Sequence, residues 1–304
     1  MMLPLAACIG SGLLAGKLLP SWIGQHSLVR RTQTVLLVAV VTALGVRMGT
    51  QQATPRWGLT LARSLVLAIG SIAGSVLFTL PFAGVVAPDP VRAALPGEVS
   101  SPLWLLALAI GSLVTGAVVG AAQRRRFDPQ QLERVALCAL GAMLFCIGLD
   151  GGSSESVGSS IASLSPWVLL VPPMIALGSV AGGCAAGLLL RLRARSGAAV
   201  GAGCGWYTLT TLILGEMDGP ELAAYGLLAN MFREAISLLT IPLIAHWHRG
   251  VIMLAPAGCT AVDTGFAMIG RLGGDRMGLM AFLTGIMCSL MVPVLVRVSF
   301  KRLP

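Results

Sequence analysis

From Pro102 to Ala122 the chain carries no Asp, Glu, Lys or Arg, and several other stretches come close to the same pattern. Runs of this kind constrain the fold more than any other feature of the sequence. In hydrocarbon every backbone N–H and C=O must find its partner inside the protein, so a chain crosses as helix or as closed barrel. Barrel strands would alternate apolar and polar residues, whereas these runs are continuous and punctuated by glycine, which selects helix. Further apolar segments run from Leu3 to Leu19, Thr34 to Met48, Leu59 to Val86, Val135 to Leu149 and Pro166 to Leu190. Those at Thr34 and Val135 are short for a span and are expected to extend into their polar flanks. Charged residues make up 11% of the chain, against about 25% in a soluble domain. The expected class is an all-α integral membrane protein. Its architecture is read as a polytopic helical bundle with inverted repeats, about eight full transmembrane helices and two broken or re-entrant segments.

The remaining composition excludes several functions. A net charge of +9 is spread through short loops with few aromatics nearby, which reads as topology signal and lipid-headgroup contact rather than a nucleic-acid partner. The seven cysteines form no CxxC pair and all fall in apolar segments, so they read as packing residues, with no metal site or cofactor expected. The N-terminus lacks a charged leader region and reads as a first membrane helix. The three histidines (His26, His246, His248) stand at segment ends or in loops, and neither HExxH nor GxSxG occurs. No catalytic residue is assigned. A membrane hydrolase would need two facing acids, such as Asp150 and Asp263, and no motif supports one.

Three motifs recur in order. Ile9-Gly10-Ser11 returns as Ile110-Gly111-Ser112, and Gly45-Val46-Arg47-Met48-Gly49-Thr50 aligns with Gly148-Leu149-Asp150-Gly151-Gly152-Ser153. Ile69-Gly70-Ser71-Ile72-Ala73-Gly74 returns as Leu177-Gly178-Ser179-Val180-Ala181-Gly182. Each unit holds three crossings, so the second is inserted upside down relative to the first, the plan of many secondary transporters. The expected units are residues 1–88, their inverted partner 100–195, and a transport core over 198–304.

Within that core Ala202-Gly203-Cys204 matches Ala257-Gly258-Cys259, and Gly219 matches Gly274. Each half of the core opens with a glycine-broken segment and closes with a long helix. Broken backbone at membrane depth survives where it is buried in protein or lines a cavity. The two breaks are therefore expected to meet near the midplane. N–H groups around Gly205 to Tyr207 and Gly258 to Thr260 would be available to an anion. Trp206 could face an ammonium through its ring.

The long helix of the first half, Pro220 to Trp247, carries Asn230, Arg233 and Glu234 near its middle. A charge at that depth costs roughly 2.5–3.5 kcal/mol on insertion scales. Arg233 and Glu234 are sequence neighbours about 100° apart around the axis, so each needs a partner elsewhere. Gly226, Asn230, Arg233/Glu234 and Ser237 draw one polar stripe down the helix. Such a stripe is either a structural ion pair or a site for something charged that crosses the membrane. Arg124 to Arg126, Arg134, Arg191, Arg193, Arg195, Arg297, Lys301 and Arg302 would share one face, which places both termini in the cytoplasm; Lys17, Arg30 and Arg31 oppose this. Arg47 and Asp150, at equivalent places in the inverted units, are expected at opposite surfaces because Gln51-Gln52 and Ser153-Ser154 follow them.

Three blocks resemble a known family. Gly203-Cys204-Gly205-Trp206-Tyr207-Thr208-Leu209, Leu228-Ala229-Asn230-Met231-Phe232-Arg233-Glu234 and Ala257-Gly258-Cys259-Thr260-Ala261-Val262-Asp263-Thr264 are similar to the GFGWYSLS, NDLAREL and GATSMDFT signatures of bacterial lysine exporters of the LysO type. The resemblance is best over roughly residues 200–298. It implies a secondary active transporter of the bacterial cytoplasmic (inner) membrane that exports L-lysine or a related basic amino acid, by antiport with protons. Passive channel and structural membrane subunit are the alternatives. The family carries an acid shortly after the second apolar segment, where this chain has Arg47, and an Asn-Asp pair where it has Asn230-Met231. Lysine offers one carboxylate and two ammonium groups, so the substrate-site candidates are Glu234, Asp263, Asn230, Arg233, Trp206, Tyr207, Thr208, Gly205, Gly258 and Thr260. Glu234, Asp263 and Asp150 are the candidates for carrying the coupling proton.

Overall fold

The computed structural model describes residues 2–18, 27–50, 57–84, 102–123, 166–247 and 250–302, with scattered positions between 128 and 149. The described residues form helices and turns, with no strand among them. Helices α1 (Met2–Leu18), α2 (Ser27–Thr50) and α3 (Trp57–Thr79) come first, α3 ending in a tight turn, Leu80–Phe82. Next are α4 (Pro102–Ala122), α5 (Val171–Leu189) after the turn Pro166–Leu170, and short α6 (Ala194–Gly201). The C-terminal third holds α7 (Tyr207–Asp218), α8 (Pro220–Trp247), single-turn α9 (Leu254–Ala257) and α10 (Thr264–Arg302). Helix α2 runs well past Thr34–Met48 into its polar flanks, whereas Asp150 and the proline-containing loop over 88–101 lie outside the described residues.

Four helical stretches are long and apolar enough to cross a membrane: Gly58–Phe82, Pro166–Leu189, Pro220–Trp247 and Arg276–Lys301. The chain is therefore a multi-pass helical membrane protein. The sequence predicts about eight full helices; beside these four spans, Thr34–Arg47 in α2 and Gly111–Ala122 in α4 are shorter apolar helical stretches among the described residues.

Water is absent from a bilayer core, so these helices associate by close packing rather than by hydrophobic burial, and small residues set the contacts. Helices α3 and α5 cross through Gly70 and Gly74 on one side and Gly178 and Gly182 on the other. A Cβ added at Gly74 would strike the Gly178 carbonyl, and one at Gly178 would strike that of Gly74; Gly70 and Gly182 oppose each other in the same way. Helices α2 and α4 interlock likewise, with Gly45 and Gly49 against Leu113 to Ala121 and with Gly116 and Gly120 against Thr42 and Val46. Gly183 and Gly187 then seat α6 through Gly197 and Gly201. This scaffold surrounds α8, whose central face is buried from Leu228 through Leu238.

Helix ends follow local chemistry. At Asp218-Gly219-Pro220 the glycine has φ 86° and ψ −171°, a region open essentially to glycine, and proline takes the first position of α8. Inside α10, Gly274 has φ 81° and ψ −175°, dividing that helix into a short and a long part. Pro242 and Pro293 sit inside α8 and α10 without ending them, as neighbouring helices permit in a membrane bundle.

Candidate functional site

Two interrupted backbones meet beside the middle of α8. Between α6 and α7 the chain turns through Cys204 (φ 49°) and Gly205 (φ 101°); between α9 and α10 it turns at Gly258 (φ 59°). The Cys259 N–H donates to the Cys204 carbonyl at 2.9 Å, so the second break is hydrogen-bonded directly to the first. A Cβ at Gly205 would press on Thr260, and one at Gly258 on the Cys204 carbonyl, which explains the glycines at these two close approaches.

Asn230 holds the first break to α8. Its Oδ1 accepts from the Gly205 N–H at 2.8 Å, while Nδ2 donates to the carbonyls of Gly226 at 2.9 Å and Val200 at 3.2 Å. Arg233, 1% exposed, holds the second. Its Nε donates to Pro256 O at 3.0 Å, and Nη2 to Ala255 O at 3.0 Å and to Ser75 Oγ at 3.1 Å. Nη1 donates to Ser179 Oγ. The two hydroxyls in turn donate to carbonyls, Ser75 to Ile175 O and Ser179 to Gly201 O. The guanidinium is thus accommodated by two carbonyls and two hydroxyls from α3, α5 and α9. Its neighbour Glu234 takes no part, as their separation around the helix demanded.

Glu234 faces another group of residues. Buried at 5% exposure, its carboxyl lies within electrostatic reach of Thr264, Asp263 and Arg47. Asp263 precedes α10 and caps it: Oδ1 accepts from the Thr264 N–H and, at 3.1 Å, from the Thr264 hydroxyl. Arg47 reaches in from α2. Its Nη1 donates to the Tyr207 hydroxyl at 3.0 Å, and its guanidinium carbon stands 4.9 Å from the centre of the Tyr207 ring. The other tyrosine of the chain, Tyr225, holds a guanidinium in the same manner, accepting from Arg63 at 3.1 Å.

The structure therefore brings Glu234, Asp263, Tyr207 and Thr264 together, with Asn230 and Arg233 behind them as framework. Trp206 and Thr208 flank Tyr207 at the start of α7, both half-buried, and the Thr260 hydroxyl turns back onto the Ala257 carbonyl at 3.0 Å. Five of the six N–H groups expected to face an anion, all but that of Thr260, are engaged within the protein. Gly205 donates to Asn230, Trp206 to Gly203 O, Tyr207 to Gly205 O, Gly258 to Leu254 O and Cys259 to Cys204 O. Arg47, expected at a surface, stands half-buried with its guanidinium on Tyr207, while its expected counterpart Asp150 lies outside the described residues. Thr264, Ser75 and Ser179 were not among the expected site residues; only their glycine-rich surroundings marked them.

The family profile described as "Lysine exporter LysO" matches residues 110–300. The "Lysine exporter LysO" of Escherichia coli K12 is 26% identical over 202 residues, covering 66% of this chain and 66% of that protein. A Haemophilus influenzae Rd protein named "Putative lysine exporter" is 29% identical over 168 residues, covering 55% of this chain and 85% of that protein. The chain spans just under two thirds of the Escherichia coli relative, 66%. With the profile running from the glycine crossing through both breaks to the last helix, the chain belongs to the LysO lysine exporter family, a family of transporters and not of enzymes.

Proposed function

We propose that this protein is a secondary active transporter that exports L-lysine or a related basic amino acid across the bacterial cytoplasmic membrane in exchange for protons. One observation carries the reading: two carboxyl groups from different segments, Glu234 on α8 and Asp263 in the turn before α10, lie together where two broken backbones meet inside a membrane bundle. Buried intramembrane acids of this kind mark ion and substrate pathways. In this reading Glu234 and Asp263 receive the ammonium groups or the coupling proton. Trp206, Tyr207 and Thr208 line the approach, and Gly205, Gly258 and Thr260 keep the two turns in contact. Asn230 and Arg233 fix the frame.

The proposed architecture is a pair of inverted three-helix units, residues 1–88 and 100–195, carrying a core over 198–304 with two re-entrant segments. The reciprocal crossing of Gly70 with Gly182 and Gly74 with Gly178 supports it, since a two-fold axis relating the repeated motifs exchanges those two contacts. The shared conformation of Gly219 and Gly274 supports the second repeat.

Reconstitution into liposomes with a panel of amino acids and an imposed pH gradient tests the function. Saturable flux of a basic amino acid driven by the gradient is the expected result. Flux that neither saturates nor responds to the gradient would leave a passive channel in its place.

A further inference from the structure

An amino acid brings a carboxylate as well as ammonium groups, and the site needs something positive to meet it. Most of the backbone does not supply it here, since the N–H groups of Gly205, Trp206, Tyr207, Gly258 and Cys259 donate within the protein. Arg233 does not supply it either, with donors on four protein acceptors. Arg47 is differently placed. It is half-buried against Tyr207, on α2, which touches both α8 and α10. One of its Nη1 hydrogens goes to Tyr207, whose ring it also faces, and no direct ion pair joins it to Glu234 among the described residues.

We infer that Arg47 is the receptor for the substrate's α-carboxylate. This rests on the proposed function and gives the site its polarity. A guanidinium offers five N–H donors in a planar fork whose edges match a carboxylate in two parallel hydrogen bonds. Tyr207 holds the fork by one donor and backs it with an aromatic face, which fixes its orientation while leaving its other edges for a ligand. The charges agree as well. Arg47 supplies the positive pole that a carboxylate needs, and the carboxyl groups of Glu234 and Asp263 supply the acidic pole for ammonium groups. The substrate is then stretched between poles. Its carboxylate lies at Arg47 beside α7, and its ammonium groups lie at Glu234 and Asp263 between α8 and α10.

Cadaverine, which is lysine without its carboxylate, and lysinamide, which carries a neutral amide instead, separate this role from mere charge balance. Binding of the three compounds to the detergent-purified full chain is measured by titration calorimetry. The wild type should prefer lysine to both analogues by about tenfold or more, the range of a charge-assisted pair of hydrogen bonds. Arg47→Gln should lose that preference by weakening lysine, while cadaverine, a dication relieved of a neighbouring cation, binds no worse. Arg47→Lys keeps the charge without the fork and should fall between. Tyr207→Phe, which removes only the hydroxyl that orients the guanidinium, should weaken lysine several-fold and leave cadaverine untouched; it serves the same purpose if Arg47→Gln fails to fold. Equal affinity of the wild type for lysine and cadaverine overturns the assignment, as does an equal loss for both ligands in Arg47→Gln. Binding of no basic amino acid by the wild type would instead overturn the export reading beneath it.

Discussion

Gly219 and Gly274 hold the same backbone conformation, φ 86° and ψ −171° against φ 81° and ψ −175°. Each ends a short helix and starts a long one, and each follows one of the two breaks that meet beside α8. This region of backbone space is closed to residues with a Cβ, so both positions are restricted by conformation even where space is available. At Gly219 a Cβ would meet nothing within 4 Å. Gly219→Ala should therefore cost about 1–3 kcal/mol from backbone strain alone, and Gly274→Ala a similar amount. Thermal melting of the purified variants reads this directly. An unchanged melting point in both would mean that the two turns relax without loss.

Arg233 makes a second prediction, about charge without a countercharge. Arg233→Lys keeps the cation but cannot reach Ala255, Pro256, Ser75 and Ser179 together. It should destabilise by about 2 kcal/mol or more, because at least one buried acceptor loses its donor. Arg233→Met, which removes the charge and the fork together, should cost more. A lysine variant as stable as the wild type would show that the guanidinium is not the clamp between α8, α9 and the crossing helices.

Glu234→Gln preserves shape and removes a charge that the framework hydrogen bonds do not use. The folded protein should remain, melting close to the wild type, while gradient-driven transport falls to background. Counterflow at wild-type rates in reconstituted vesicles would take Glu234 out of the transport cycle.

The glycine crossing gives a paired test with its own control. Gly182→Ala and Gly74→Ala place a methyl group on a facing carbonyl and should lose about 1–3 kcal/mol through overpacking. Gly58→Ala and Gly84→Ala, where a Cβ meets nothing within 4 Å, should be neutral or slightly stabilising. Equal behaviour of the two sets in melting experiments would contradict the tight contact between α3 and α5.

How far the sequence led depended on whether a residue's role was local. Glu234 was legible because an acid on an apolar helix has no inexpensive explanation, and the two breaks were legible because Gly-Cys-Gly and Gly-Cys-Thr interrupt apolar runs. Arg47 was legible only in part: the polar residues just after it say nothing of Tyr207, the partner that α7 brings to it from 160 positions away. Arg233 was recognised as buried, but its partners were not, since two are backbone carbonyls freed by a helix break and two are serines far away in sequence. The N–H groups that seemed available to an anion were engaged by neighbours such as Asn230, whose amide reaches three backbone groups at once.

The crossing of α3 with α5 has a mechanical consequence. Where most helix pairs meet through side chains that can change rotamer and so let one helix slip past the other, these two touch carbonyl to Cα, and Ser75 adds a hydrogen bond to Ile175 across the contact. There is no deformable layer between them to absorb shear. In the transport cycle proposed above, α3 and α5 would therefore move as a single stiff strut, with the bending at hinges outside them.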